Sequence, residues 1–191
     1  MRTLATGSKV PRSVAALVAG ALLTAGCADD PMRPSVSDIA FVATLLPHHH
    51  LGMLLVDEAT LRAGDVRLRR MVFEMGSYHD RELATLADWA DQWQVASAVT
   101  FPGEITSPDL ERLPTLSGVA HDIWWLHLMI EHHEGAVEIA DSALAASGLS
   151  EVDRLADDVR RVQSSELEAM HTLLVELCGE APGDGCPTAA P

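Results

Sequence analysis

The sequence predicts an all-α protein, a four-helix bundle assembled from two copies of one helical hairpin. Three observations predict it. Alanine and leucine dominate a chain with only 4% aromatic residues, a composition that favours helix. Four long segments space their apolar residues three and four apart, the period of a helix with one buried face. The sequence also aligns with itself, without a gap, when shifted by 84 residues, as expected of a repeated supersecondary unit.

The shift places Asp38-Ile39 on Asp122-Ile123 and His48-His49 on His132-His133. Asp57 falls on Asp141, Ala59 on Ala143, Gly64 on Gly148, Arg70 on Arg154, and Glu82-Leu83 on Glu166-Leu167. A shared apolar period would align interchangeable aliphatics. It would not align histidine, carboxylates and glycine.

The first element, residues 1–26, reads as a lipoprotein signal peptide rather than fold. Arg2, Lys9 and Arg12 form a basic region ahead of the uncharged run Ser13 to Thr24. That run is about a dozen residues, short for a permanent span. It ends Leu23-Thr24-Ala25-Gly26-Cys27, which is similar to a bacterial lipobox with its leucine one place early. Cys27 would then carry the lipid, and the protein would sit on the outer face of the cell membrane. The alternative is an ordinary cleaved signal with a chance cysteine. Residues 27–36 read as a tether.

Residues 37–178 are expected to form the bundle. Helix one should run from about Ser37 to Arg62, with Ser37 or Asp38 as N-cap and Gly64 as its stop. Pro47 should kink it or break its start. Helix two should span about Val66 to Trp93. Residues 94–120 hold Pro102, Gly103, Pro108, Pro114 and Gly118 and read as a connector, with a short helix opened by Ser107-Pro108-Asp109. Helix three should run from about His121 to Ala146. Helix four should be capped by Ser150 and end near Cys178-Gly179. The repeats thus span about 37–93 and 121–178, and residues 179–191 form a tail. Short turns within each pair and a long connection between pairs fit a bundle.

Each helix interrupts its own apolar stripe near its middle. In helix two, Leu68, Val72 and Met75 lead to His79 and Glu82, then Leu86, Trp89 and Trp93. In helix four, Val152, Leu155 and Val159 lead to Gln163 and Glu166, then Met170, Leu173 and Leu177. Helices one and three interrupt theirs with His48 or His49, and with His132 or His133. In antiparallel hairpins these middles lie side by side. An unpaired buried carboxylate costs several kcal/mol, and no Lys or Arg occupies the stripes. The compensating charge must be imidazolium or a metal ion.

Histidine and glutamate together suit divalent transition metals. Met53 lies one turn after His49, and Met129 holds a stripe position before His132. Thioethers beside imidazoles, outside the cytoplasm, favour copper; iron and zinc are the alternatives. The candidate metal residues are therefore His48, His49, Met53, His79, Glu82, Met129, His132, His133 and Glu166. A purely structural histidine–glutamate network is the competing reading. His50, His121, His127 and His171 read as ordinary surface histidines. Met53, Met75, Met129 and Met170 each read individually as core filler before ligand, and Asp57, Asp141, Asp157 and Asp158 as solvated faces.

In an oxidising compartment Cys178 and Cys186 should pair in a disulfide, with soft metal ligation as the alternative. The formal charge of −15, more negative still without the leader, repels phosphate backbones and argues against nucleic acid. There is no Gly-rich phosphate loop and no Ser or Cys nucleophile beside a base.

These residues resemble the bacterial "domain of unknown function 305" family. Its pattern is Phe-Asp, then Met-Ile-x-His-His-x-Gly-Ala, then Gln-x-x-Glu. Here Met129-Ile130, His132-His133, Gly135-Ala136 and Gln163-x-x-Glu166 match in the second half, and Pro47-His48-His49 and Glu82 in the first. The resemblance covers nearly all of residues 37–178. It implies a ferritin-like bundle and, because some members are implicated in periplasmic copper binding, a ligand class. Leu45-Leu46 replaces a Met-containing pair, His50 a common Gln, and His79 the Gln kept at Gln163. The first half should thus be the more nitrogen-rich.

The expected function is non-catalytic: a lipoprotein that buffers or delivers a transition metal, copper favoured, at the cell envelope. The alternatives are a ferritin-like metal oxidase, and a structural or partner-binding bundle without metal.

Overall fold

A computed structural model describes residues 33–181, 183 and 185–186; the leader and Cys27 lie outside them. Helix α1 spans Val36–Arg62, α2 Val66–Trp93, α3 Ser107–Arg112, α4 Gly118–Ala146 and α5 Ser150–Glu180, with a 3₁₀ turn at Leu113–Thr115 between α3 and α4. The described residues contain no strand. The four long helices form the bundle. α1 packs on α2 and on α4, α4 packs on α5, and α2 meets α5 at only a few points.

The helix starts follow local chemistry. Ser35, two residues before the expected Ser37, is the N-cap of α1. It makes a reciprocal box with Asp38: the Asp38 N–H donates to Ser35 Oγ at 3.1 Å, and the Ser35 N–H to Asp38 Oδ2 at 2.7 Å. Asp65 caps α2 through the Arg67 N–H at 2.7 Å. Ser150 does not cap α5. It is the first helical residue after Leu149, whose N–H donates to Asp38 Oδ1 at 3.0 Å. In α3 the cap is Thr106, with Pro108 in the first turn.

Gly64 and Gly148 are not left-handed stops; neither has a positive φ. They are small because a carboxylate from the other half stands over each turn. A Cβ on Gly64 would meet Asp122 Oδ2 at 3.3 Å, and one on Gly148 would come within 2.7 Å of Asp38 Cγ. Asp122 accepts from the Gly64 N–H at 3.0 Å and the Asp65 N–H at 2.7 Å. Each hairpin turn is thus held by the opposite hairpin. α2 ends at Gln94 with φ 55°, and α4 at Ser147 with φ 50°.

Pro47 does not break α1, which continues past it to Arg62. Proline cannot donate to the carbonyl four residues back, so the Ala43 oxygen is left free. The connector supplies the missing donor: the Ala98 N–H bonds Ala43 O at 2.7 Å.

The apolar core is in two pieces with the interrupted stripes between them. One piece gathers Leu55, Leu68, Met75, Trp125, Met129, Met170 and Leu173. The other gathers Phe41, Val42, Leu45, Leu86, Ile139, Ala140 and Val159. The start of α1 shares a piece with the end of α4, so these two helices are antiparallel. Trp125 is fully buried, and its indole N–H donates to the Leu55 carbonyl at 2.7 Å. Cys178 and Cys186 are joined by a disulfide that closes the end of α5 on the following segment.

Candidate metal centre

Between the two apolar pieces, α1 brings His48 and His49, α2 His79 and Glu82, α4 His132 and His133, and α5 Gln163 and Glu166. The five imidazoles are at most 1% exposed. Neighbouring residues on a helix point about 100° apart, so one pair cannot share a direction. Both members are buried nonetheless, because the helix has two packed flanks. His49 and His133 turn toward the second helix of their own hairpin. His48 and His132 turn toward each other.

The contacts repeat at the 84-residue offset. The His49 Nε2–H donates to Glu82 Oε2 at 2.7 Å, and the His133 Nε2–H to Glu166 Oε2 at 2.9 Å. The rings of His48 and His132 stack, and the His48 Nε2–H donates to the His132 carbonyl at 3.0 Å. The His132 Nδ1–H donates to the Gly103 carbonyl at 3.0 Å. The His79 Nδ1–H donates to the Met75 carbonyl, one turn back, at 3.1 Å.

All five partners are acceptors. A carbonyl or ionised carboxylate takes a hydrogen bond and cannot give one, so each ring proton sits on the bonded nitrogen. In a neutral ring the other nitrogen then carries a lone pair. These nitrogens are His48 Nδ1, His49 Nδ1, His79 Nε2, His132 Nε2 and His133 Nδ1, and none has a partner among the described residues. Both polar atoms of the buried Gln163 amide are also without one. A buried polar atom left unsatisfied costs about 1–3 kcal/mol, and such atoms are few in a native fold. Five in one layer point to function rather than packing.

Four of the rings, those of His48, His49, His79 and His132, are held in the neutral form. Burial, reinforced by neighbouring imidazoles, pushes His48, His49 and His79 down to about 3. Burial also holds His132 well below the usual histidine range, with His48 and His133 adding to it. Burial pushes Glu82 up. Neutral imidazole is the form that binds metals.

Two of the lone pairs flank a glycine. The point where a Cβ on Gly52 would stand is 2.9 Å from His132 Nε2 and 3.1 Å from His79 Nε2. The His79 ring lies 4.7 Å from that of His49 and 5.9 Å from that of His133, centroid to centroid. Gly52 falls one turn after His48 on α1. Its place at offset 84 is Ala136, also small, and that pairing was the available signal.

Met129 is fully buried in the apolar piece with Met75 and Met170, and Met53 is half-buried at its edge. His50, His127 and His171 are exposed. His121 is not a surface histidine. It is fully buried, with its Nδ1–H on Asp122 Oδ1 at 3.1 Å, because α4 starts three residues earlier than expected and carries it into the core. Among the described residues no group of three or more His, Cys, Asp or Glu side chains already converges as a chelate. The donors fit a metal by chemistry: neutral nitrogens, each oriented by a hydrogen bond on the far side of its ring.

The sequence profile of the domain of unknown function DUF305 matches residues 38–174. The chain belongs to the DUF305 family. Its fold is similar to that of a DUF305 protein from Streptomyces coelicolor, with a TM-score of 0.68 and 24% identity over 74% of this chain and 91% of that one. A DUF305 fragment from Deinococcus radiodurans gives a TM-score of 0.69 and 21% identity, over 75% of this chain and 98% of that one. CopM in its apo form gives 0.63 and 25% identity, over 76% of this chain and 98% of that one. No curated protein matches the chain in sequence. The DUF305 match ends near the close of α5 and includes all five core histidines.

Proposed function

We propose that this DUF305 protein is an exported, lipid-anchored envelope protein that binds a transition-metal ion at its core imidazoles, for buffering or delivery. The observation that carries the reading is the set of five buried ring nitrogens that have no hydrogen-bond partner among the described residues. A Lewis acid is the ligand they suit. Glu82 and Glu166 act behind His49 and His133, fixing tautomer and raising basicity. Their two negative charges match a divalent cation placed among neutral rings. Imidazole donors suit copper, zinc, iron and nickel, and among divalent ions the affinity order favours copper. CopM, similar in fold, has been solved in Cu(I)-bound, Cu(II)-bound and silver-bound forms. The basic and apolar leader ending at Cys27 supports export and anchoring.

Equilibrium dialysis against Cu(II), Zn(II) and Ag(I), with metal analysis of the retained protein, tests the reading. Wild type should retain metal stoichiometrically, and His79→Ala with His132→Ala should lose it. Full retention by the double variant, or none by the folded wild type, overturns the reading and leaves the cluster as a device for helix register.

A further inference from the structure

The cluster is closed on most sides. The connector lies over α1 and α4, where Ala98 bonds α1 and Gly103 bonds His132. The seam between α2 and α5 is different, because those helices barely touch. Two clefts open along it, of about 680 and 260 Å³, divided by a wall that both share: Tyr78, Arg161 and Val162. Glu166 lines the wide cleft and Glu82 the narrow one. These side chains are 17% and 12% exposed, and each reaches inward to a fully buried histidine. Each carboxylate therefore bridges solvent and a ring of the cluster.

The two clefts are related by the 84-residue offset. Glu74 in the wide cleft corresponds to Asp158 in the narrow one, and Ser165 in the wide cleft to Arg81 in the narrow one. That last pair breaks the symmetry. The wide cleft has arginines too, but each is tied to a carboxylate: Arg67 to Asp65 and Glu176, Arg70 to Glu74, Arg161 to Asp158. Arg81 instead lies over the Tyr78 ring, 4.7 Å from its centroid. Its charge also acts on Glu82. A cation approaching Glu82 meets the Arg81 guanidinium, which among the described residues makes no ion pair within 4 Å. A cation approaching Glu166 meets Ser165 at the equivalent place, in a cleft whose arginines are each paired with a carboxylate.

We propose that cations reach the buried imidazoles through the wide α2–α5 cleft, landing on Glu166 beside His133, and that Arg81 guards the narrow cleft against them. The proposal rests on the metal-binding reading. Like charge in a confined mouth lowers the local concentration of an arriving cation, and such fields change on-rates by about tenfold or more.

The test exchanges the symmetry-breaking residues. Both are exposed and neither belongs to the cluster. Stopped-flow mixing of detergent-solubilised full-length protein with Cu(II) follows the absorbance of the copper–imidazole complex. Ser165→Arg should slow loading about tenfold, and Arg81→Ser should speed it severalfold, with bound copper per chain unchanged in both. Normal copper stoichiometry with both rates equal to wild type overturns the route and leaves the site standing. No copper uptake by wild type overturns the site and the route with it.

Discussion

The imidazoles of His48 and His132 lie face to face at the centre of the bundle, centroids 3.7 Å apart and planes 16° from parallel. Two rings in that arrangement, both buried, cannot both be imidazolium cations without strong repulsion. The stack is therefore a statement about charge: it favours neutral rings at His48 and His132 in the folded state.

That neutrality sets the pH dependence of the metal-free protein. The folded-state values of His48, His49 and His79 are near 3, below the unfolded value of 6.5. Between those limits the unfolded chain binds more protons, so folding weakens as pH falls. The stability is complete above 6.5 and is lost on the way toward 3. Each such ring contributes a slope of about 1.4 kcal/mol per pH unit. Glu82, pushed up by burial, acts in the opposite sense above 4.5, but it is one group against several. Urea midpoints should fall steeply from pH 6.5 to 4.5. A flat profile would mean the rings are already charged in the native state.

Gly52→Ala separates metal binding from stability. Alanine in a helix gains about 1 kcal/mol over glycine. Its Cβ would stand 2.9 Å from His132 Nε2 and 3.1 Å from the His79 ring. The rings must shift, and His132 is held by its bond to Gly103 and its stack on His48. The melting temperature should change by only a few degrees while affinity for Cu(II) drops about tenfold or more, the scale seen when ligand orientation is disturbed. Unaltered affinity in a titration would show that the His79 and His132 lone pairs facing Gly52 take no part in binding.

The carboxylate of Asp122 is fully buried and holds the turn between α1 and α2. Burial opposes its charge, but the His121 ring and the N–H groups of Asp65 and Gly64 keep its pKa below the usual carboxylate range. Asp122→Ala leaves those donors unsatisfied and should cost about 3 kcal/mol. Urea denaturation measures the loss, and amide exchange at Gly64 and Asp65 should quicken locally. A loss under about 0.5 kcal/mol would show that water replaces the carboxylate freely.

Much of this arrangement was legible in the sequence because period and polarity conflict at particular positions. His79 and Glu82 sit where the α2 stripe demands apolar residues, and they mark the layer. Which member of each histidine pair faces inward was not legible, since a single helical wheel has one inward direction. α1 and α4 each have two packed flanks, so both members are buried. The pairing of Asp38 with Asp122 was visible as an alignment, but its purpose was not. Each carboxylate acts on a turn more than 50 residues away, and periodicity says nothing at that distance. The burial of His121 was missed because helix boundaries shift by a turn when a tertiary contact rewards it.

Pro47→Ala tests how α1 tolerates a proline at its centre. An interior proline ordinarily costs about 3 kcal/mol, partly through the lost hydrogen bond. Here Ala43 O recovers a donor from the Ala98 N–H at 2.7 Å. Alanine at position 47 would restore the helical N–H and compete for that same carbonyl. The helix should gain and the connector should lose. The expected outcome is a net stabilisation of about 1 kcal/mol, smaller than the propensity difference alone, with faster amide exchange at Ala98. The connector also carries Gly103, which orients His132, so loosening it should weaken Cu(II) binding although the fold is more stable. A gain near the full propensity difference, with Ala98 still protected from exchange, would show that its N–H does not depend on the carbonyl proline leaves free.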